Sequence, residues 1–176
     1  METKKNICIR AYRPGDPSRV CYFYYKLYEQ QYQFNGSVEK YFIKGMGELF
    51  DCPGKSQLWV AEQDGKIVGS IAIVRKGPRE AQLRWFGVSM EVQGMGIGNA
   101  LLKTAMAFCR EQGYTDVILW TIDILKPARH LYGKFGFSPT ETKPNEEWAS
   151  YALLEEKWEY HASPAAIPGN AGLPKT

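Results

Sequence analysis

The chain has 176 residues, 44% of them hydrophobic, which is enough for one well-buried core and short for two. A formal net charge of only +3 excludes the broad basic footprint of a nucleic-acid binder, while leaving room for a local patch that faces an anion. Cys8, Cys21, Cys52 and Cys109 form no C-x-x-C pair and have no histidine nearby, so no metal site is expected. With no secretory signal over residues 1–6 and no apolar run of bilayer length, the thiols are expected to be reduced, in a cytoplasmic protein without a membrane partner.

Residues 7–12 alternate apolar and polar side chains, as a half-buried strand does. Arg13-Pro14-Gly15-Asp16-Pro17 ends that strand, because prolines cannot extend a ladder. Over 18–33, Cys21, Tyr24, Tyr25, Tyr28 and Tyr32 recur at helical spacing, with Ser18 as N-cap. These tyrosines either pack on a sheet with their hydroxyls at the rim or line a pocket. Asn35-Gly36-Ser37 matches a glycosylation sequon but reads as a turn in a chain that is not exported. A second helix spans 38–50, with Tyr41, Phe42, Met46, Leu49 and Phe50 on its apolar side.

Strands over 57–62 and 67–75 flank Asp64-Gly65, the strongest short-range hairpin signal. A third strand, 81–88, follows Lys76-Gly77-Pro78. Three consecutive antiparallel strands therefore come first, whereas a doubly wound nucleotide fold would open with a strand and its helix. A helix over 98–112 buries Leu101, Leu102, Ala105, Phe108 and Cys109 and stops at Gly113. The run Val117-Ile118-Leu119-Trp120, within a strand over 116–121, reads as covered on both faces. It is expected to run parallel to 83–88 through a right-handed crossover. Pro127 opens a helix that reaches about residue 135 and ends at Gly136. A last strand over 148–158 carries the paired acids Glu155 and Glu156. From His161 the chain is too poor in bulky apolar residues to fold, giving one domain over 1–160 and a flexible tail over 161–176.

The stretch that organises this layout is Gln93-Gly94-Met95-Gly96-Ile97-Gly98-Asn99. Glycines at alternate positions let the backbone approach a ligand closely or adopt dihedrals closed to other residues. The helix that follows presents unpaired N–H groups and a positive dipole end, a site suited to a phosphate. A P-loop is ruled out, since Asn99-Ala100-Leu101 stands where Lys and Ser or Thr are required. The spacing also misses the dinucleotide fingerprint G-x-G-x-x-G.

Three segments in order, Leu83-Arg84-Trp85-Phe86-Gly87-Val88, Gln93-Gly94-Met95-Gly96-Ile97-Gly98 and Ala128-Arg129-His130-Leu131-Tyr132-Gly133-Lys134-Phe135-Gly136-Phe137, resemble successive motifs of the GNAT superfamily of acyl-CoA-dependent N-acetyltransferases. The turn fits that family's Q/R-x-x-G-x-G/A pattern through Gln93, Gly96 and Gly98, and the similarity extends over about residues 7–158. It resembles most the GNAT domains found fused to MarR-type regulators, although no DNA-binding segment is read here. The fold implied is α/β of the α+β type, with a mixed, mostly antiparallel central sheet flanked by helices and a parallel strand-helix-strand crossover at the cofactor site.

The resemblance implies that Gln93, Gly94, Met95, Gly96, Gly98 and Asn99 hold the pyrophosphate of acetyl-CoA. The pantetheine arm would pair along Phe86, Gly87 and Val88. It further implies a bulge that turns an amide near Phe86 or Gly87 toward the thioester oxygen. Gly87 suits such a bulge, or equally suits tight packing against a neighbour. Tyr132 matches the tyrosine that protonates the leaving thiolate in many GNAT enzymes, the alternative being a ring packed beside Phe135 and Phe137. Leu125 stands where the family often has Asn, and Gln82 where histone-type members have a catalytic glutamate. Glu29, Glu80 and Tyr28 are substitutes for the base. Lys103, Arg129 and Lys134 are candidate phosphate attractors. Tyr28, Tyr32 and Arg84 are candidate contacts to the acceptor, a small-molecule or peptide amine. The expected activity is acetyl transfer to a primary amine by direct attack on the thioester, the alternative being an acyl-CoA-binding module that has lost turnover. Dimers are common in such families, and the sequence leaves the oligomeric state open.

Overall fold

A computed structural model describes residues 6–163. β1 (Cys8–Ala11) leads into α1 (Asp16–Tyr32), a short 3-10 turn at Gly36–Val38, α2 (Glu39–Gly47) and a second such turn at Glu48–Phe50. β2 (Gln57–Gln63), β3 (Lys66–Arg75) and β4 (Glu80–Val88) form the expected meander. α3 (Ile97–Gln112), β5 (Asp116–Ile122), α4 (Lys126–Lys134), β6 (Ser138–Asn145) and β7 (Leu153–His161) complete the chain. The seven strands form one sheet in the order β1-β2-β3-β4-β5-β7-β6. Only the β4–β5 pair is parallel, so the strand-helix-strand crossover falls where the hydrophobic pattern put it.

The helices cover opposite faces. Leu101, Leu102, Ala105, Met106 and Cys109 of α3 bury against Leu83, Val117 and Leu119, and α4 adds Tyr132 to the same cluster. On the other face, Val20 and Tyr24 of α1 and Met46 of α2 pack on Leu58, Val60, Ala72 and Trp85. Each fully buried Leu contributes about 1.5–3 kcal/mol by leaving water. Truncating one to Ala costs about 2–5 kcal/mol once the cavity is counted.

Several expectations need correction. Ser18 is not the N-cap of α1. The helix starts two residues earlier, with Gly15 at a φ of 94° before it and Pro17 in its first turn. Asp16 is buried there because it accepts from the Arg13 N–H at 2.8 Å and from Arg10 at 2.6 Å. β6 had no counterpart in the hydrophobic pattern: Ser138–Asn145 is polar, exposed almost throughout and carries Pro139 and Pro144. It is an edge strand, where prolines cost no central ladder bond. The last strand begins at Leu153 rather than near Trp148, because Trp148 is held in a loop by its carbonyl, which accepts from Asn35 N–H at 2.8 Å. His161 belongs to β7, and Ala162 N–H donates to Thr115 O at 2.7 Å. The expected tail therefore cannot begin at 161, and its remainder, 164–176, lies outside the described residues. β5 is not covered on both faces, since Ile118 and Trp120 are only half-buried.

Candidate active site

The site is made by a split in the sheet. β4 and β5 pair only from Glu80 to Leu83 and from Asp116 to Leu119. Beyond Leu83, β4 has no strand partner on that side among the described residues. The cause lies within β4. Arg84 pairs with Ala72 and Gly87 with Ser70, leaving Trp85 and Phe86 opposite Ile71. Trp85 adopts a left-handed φ of 55°, a strained conformation for a bulky residue that costs about 1–3 kcal/mol. The buried Ser70 hydroxyl donates to the Trp85 carbonyl at 2.7 Å and holds the bulge. The bulge thus falls at Trp85-Phe86 and not at Gly87. Gly87 instead answers to close packing, since a Cβ there would lie 3.1 Å from Leu27 Cδ2 and 3.2 Å from the Tyr24 hydroxyl.

On one side of the split lies a cleft of about 490 Å³. Phe86, Gly87, Val88, Gln93, Gly94, Gly96, Gly98 and Asn99 all line it. Gly94 and Gly96 have φ of 79° and 80°, so glycine is needed for the backbone itself. Gly98 has ordinary dihedrals, but a Cβ there would come within 3.1 Å of Leu131 Cδ1. Gly96 is the N-cap of α3 and has no side chain to satisfy the first turn. The amides of Gly94, Gly96, Ile97, Gly98 and Asn99 have no hydrogen-bond partner among the described residues. A row of free donors at a positive helix end is chemically fitted to a phosphate. Met95 is the exception among the expected contacts: it is exposed, lies off the cleft, and its amide bonds Val92 O at 3.4 Å. Gln93 Nε2 donates to Val88 O at 3.2 Å, tying the turn to the end of β4. Lys134 donates to Asn99 Oδ1 at 3.1 Å and so stands beside the cleft. Arg129 does not, because Nε and Nη2 hold Glu156 at 2.8 and 3.1 Å.

On the other side lies a cavity of about 570 Å³, roofed by α1 and α2 and floored by β4, β5, β6 and β7. Tyr28, Phe86 and Leu125 line both spaces and mark where they meet. Tyr132 lines this second cavity, against Phe86, Phe137 and Trp158 at ring distances of 5.7, 6.1 and 6.0 Å. Burial pushes its hydroxyl well above the ordinary tyrosine range, with Thr121 the one neighbour that opposes the rise. That hydroxyl approaches Thr121 Oγ1, which is buried without a hydrogen bond of good geometry. The ring is thus both packed and open to the cavity, and its O–H is a neutral donor.

Of the remaining candidates, Tyr28 lines both spaces, while Tyr32 lies on the cleft side, its carbonyl accepting from Tyr151. Arg84 reaches the second cavity but is bonded to Glu48 at 3.0 Å. Gln82 lines that cavity as well. Glu29 is engaged by Lys26 and Tyr25, Glu80 is exposed beside Gly77, and neither lines the cavity. Burial raises the Tyr28 hydroxyl too, which keeps it a neutral phenol. Sequence reasoning gave no role to Trp85, Thr121, Asn145, Trp148 or Glu155, all of which line the cavity. Only the acidic pair 155–156 carried a signal. One of the two, Glu156, is consumed by Arg129.

A mixed sheet split at its parallel pair, with a glycine-lined helix N-terminus at the mouth of the split, has the architecture of an acetyltransferase. The acetyltransferase (GNAT) family profile matches residues 21–137, and the chain belongs to that family. Among curated proteins it is 36% identical to human N-acetyltransferase 8B over 119 residues, which is 65% of this chain and 52% of that one. It is 40% identical to rat N-acetyltransferase 8 over 90 residues, 48% of this chain and 40% of the relative. The chain thus spans about half or less of the length of these relatives. Among solved structures, a GNAT acetyltransferase from Staphylococcus aureus superposes with a TM-score of 0.71 at 17% identity, covering 89% of this chain and 99% of that one. A GNAT family acetyltransferase from Elizabethkingia anophelis, solved with acetyl-CoA bound, gives 0.61 at 18% identity, covering 90% and 100%. Both share the fold.

Proposed function

We propose that this protein transfers an acetyl group from acetyl-CoA to a primary amine by direct attack on the thioester. The observation that carries the reading is the set of free amides at Gly94 and from Gly96 to Asn99, opening on a cleft that meets a second cavity at Phe86 and Leu125. The pyrophosphate would rest on those amides. The pantetheine arm would lie along the unpaired edge of Phe86, Gly87 and Val88, adding itself as a strand would. The thioester then reaches the junction, and the amine approaches from the second cavity.

The amine attacks the carbonyl carbon, and the carbonyl oxygen takes up negative charge. A backbone amide of the bulge aimed at that oxygen is worth about 3–4 kcal/mol of transition-state stabilisation. Collapse expels the thiolate of CoA, which takes the proton of Tyr132. An ammonium with a pKa of about 10.4 gives up two protons on becoming an amide: the first leaves to solvent before the attack and frees the lone pair, and the second, lost after the C–N bond forms, restores the proton Tyr132 gave to the thiolate. Lys134, beside Asn99, adds positive potential where the phosphates would sit.

Calorimetry with acetyl-CoA, followed by thiol release across a panel of amines, tests this. Binding with transfer is expected. Absence of any heat of association overturns it, and binding without transfer to any amine leaves an acyl-CoA-binding module instead.

A further inference from the structure

The second cavity restricts the acceptor, an argument that rests on the acetyl-transfer reading above. Its walls are aromatic: Phe34, Tyr41, Phe42, Trp120 and Trp148 line it together with Tyr28. Its size, about 570 Å³, is that of a small-molecule pocket. One side is bridged by the loop that precedes β7. Glu147 O accepts from Asn35 Nδ2 at 2.8 Å and from Ser37 Oγ at 3.0 Å. The Glu147 carboxylate takes Lys40 at 2.7 Å and Tyr41 at 2.6 Å, and Trp148 O takes Asn35 N–H at 2.8 Å. A loop fastened at five points to residues 35–41 holds one wall of the cavity in place, and the space it encloses suits a single small amine.

The charges narrow the class further. Arg84 and Lys143 are the cations of the lining, and both are already engaged. Arg84 is bonded to Glu48 and so close to α2 that a Cβ at Gly45 would collide with it. Lys143 sits 3.6 Å from Glu155 and 4.6 Å over the Trp120 ring. The buried indole N–H groups of Trp85 and Trp148 lack partners but are shut away from the cavity surface, so they do not replace a cation. Against these stand Glu146, Glu147 and Glu155. Glu147 is taken up by Lys40 and Tyr41, and Glu155 Oε2 faces Lys143 no nearer than 3.6 Å, so both cations already meet a carboxylate while Glu146 and the loosely paired Glu155 still suit an ammonium.

Glu155 is the best placed of the three. It pairs across the sheet with Ile122 on one side and Lys143 on the other, on the face that floors the cavity. Its side chain is only 14% exposed, and Asn145 Nδ2 holds Oε1 at 3.0 Å. Asn145 thereby fixes one oxygen of the carboxylate. We infer that the acceptor is a small monoamine with an aromatic body and no carboxylate, its ammonium received by Glu155 and its ring lodged against Phe34 and Trp148.

A panel isolates each feature: 2-phenylethylamine, L-phenylalanine (same ring, added carboxylate), n-butylamine (no ring) and a lysine-containing peptide. Thiol release is measured with the full chain and saturating acetyl-CoA. The expected kcat/KM for 2-phenylethylamine exceeds that of each of the others by about tenfold or more. Glu155→Gln is expected to raise KM for 2-phenylethylamine about tenfold, with acetyl-CoA affinity, read by calorimetry, unchanged and so reporting an intact fold. Preference for L-phenylalanine, n-butylamine or the peptide overturns the inference while leaving the acetyltransferase reading in place. So does an unchanged KM in Glu155→Gln. If acetyl-CoA binds and no amine is acetylated, both fall together.

Discussion

Replacing Gly96 with Ala tests the cradle with the least collateral damage. Gly96 has a φ of 80° and nothing within 4 Å of the place a Cβ would occupy, so the substitution adds no clash and acts only through the backbone. An L-residue in the left-handed region costs about 1–2 kcal/mol relative to glycine. If α3 keeps its N-terminal geometry, that cost falls on folding and lowers the midpoint of thermal unfolding. If the turn relaxes, the strain returns when a diphosphate pulls the amides of Gly96 to Asn99 back into line. Acetyl-CoA then binds more weakly, and the same 1–2 kcal/mol corresponds to about a 5- to 30-fold rise in Kd. Calorimetric titration beside a thermal melt separates the two routes, and their sum is what the geometry sets. A variant that matches the parent in both measurements would refute the cradle, because neither the positive φ nor the free amides could then matter. Gly98→Ala is the contrasting control, since it has ordinary dihedrals and is limited by Leu131 at 3.1 Å. Its effect should grow or shrink with the size of residue 131, which Gly96→Ala ignores.

Tyr132→Phe is expected to lower kcat by about 10²- to 10⁴-fold, the usual worth of a general acid, with acetyl-CoA affinity unchanged; a variant of full activity removes Tyr132 from the chemistry. Because burial holds that hydroxyl well above the ordinary range, kcat should show no alkaline limb from this group below about pH 10, and a lower limb that vanishes in the Phe variant would contradict the burial argument. Ser70→Ala leaves the Trp85 carbonyl without its buried donor and should cost about 1–3 kcal/mol of stability in a denaturant titration, along with turnover. Asp16→Ala removes one of the two carboxylates that hold Arg10, Glu62 remaining, and frees the Arg13 N–H, and should cost about 1–3 kcal/mol. Burial alone would raise the Asp16 carboxyl, but Arg10 and the Arg13 amide outweigh it and hold the pKa below 3.8. A lowered carboxylate pKa contributes stability above its unfolded value, and that contribution is lost as pH falls through the folded one. Acid unfolding measured beside Asp16→Ala should therefore show the difference between the two proteins shrinking below about pH 4.

Sequence by itself determined whatever depends on periodicity and local backbone chemistry. The apolar runs Leu58 to Ala61 and Ile71 to Val74, the Asp64-Gly65 turn and the apolar stripe of α3 carried the meander and the crossover. Glycines at 94 and 96 marked the helix N-terminus because only glycine takes a left-handed φ there without cost. What tertiary structure alone decided comes from groups distant in the chain. Ser70 places the bulge at Trp85 rather than at Gly87, and β6 exists because β7 offers an edge to a polar, proline-bearing segment that has no hydrophobic period of its own. The cavity floor arises where Glu155, Lys143 and Trp120 meet across three strands. Local propensity reaches only a few residues along the chain, whereas strand register and the splitting of a sheet are set by pairings as distant as Cys8 with Glu62 and Asp116 with His161, and those appear only when the core closes.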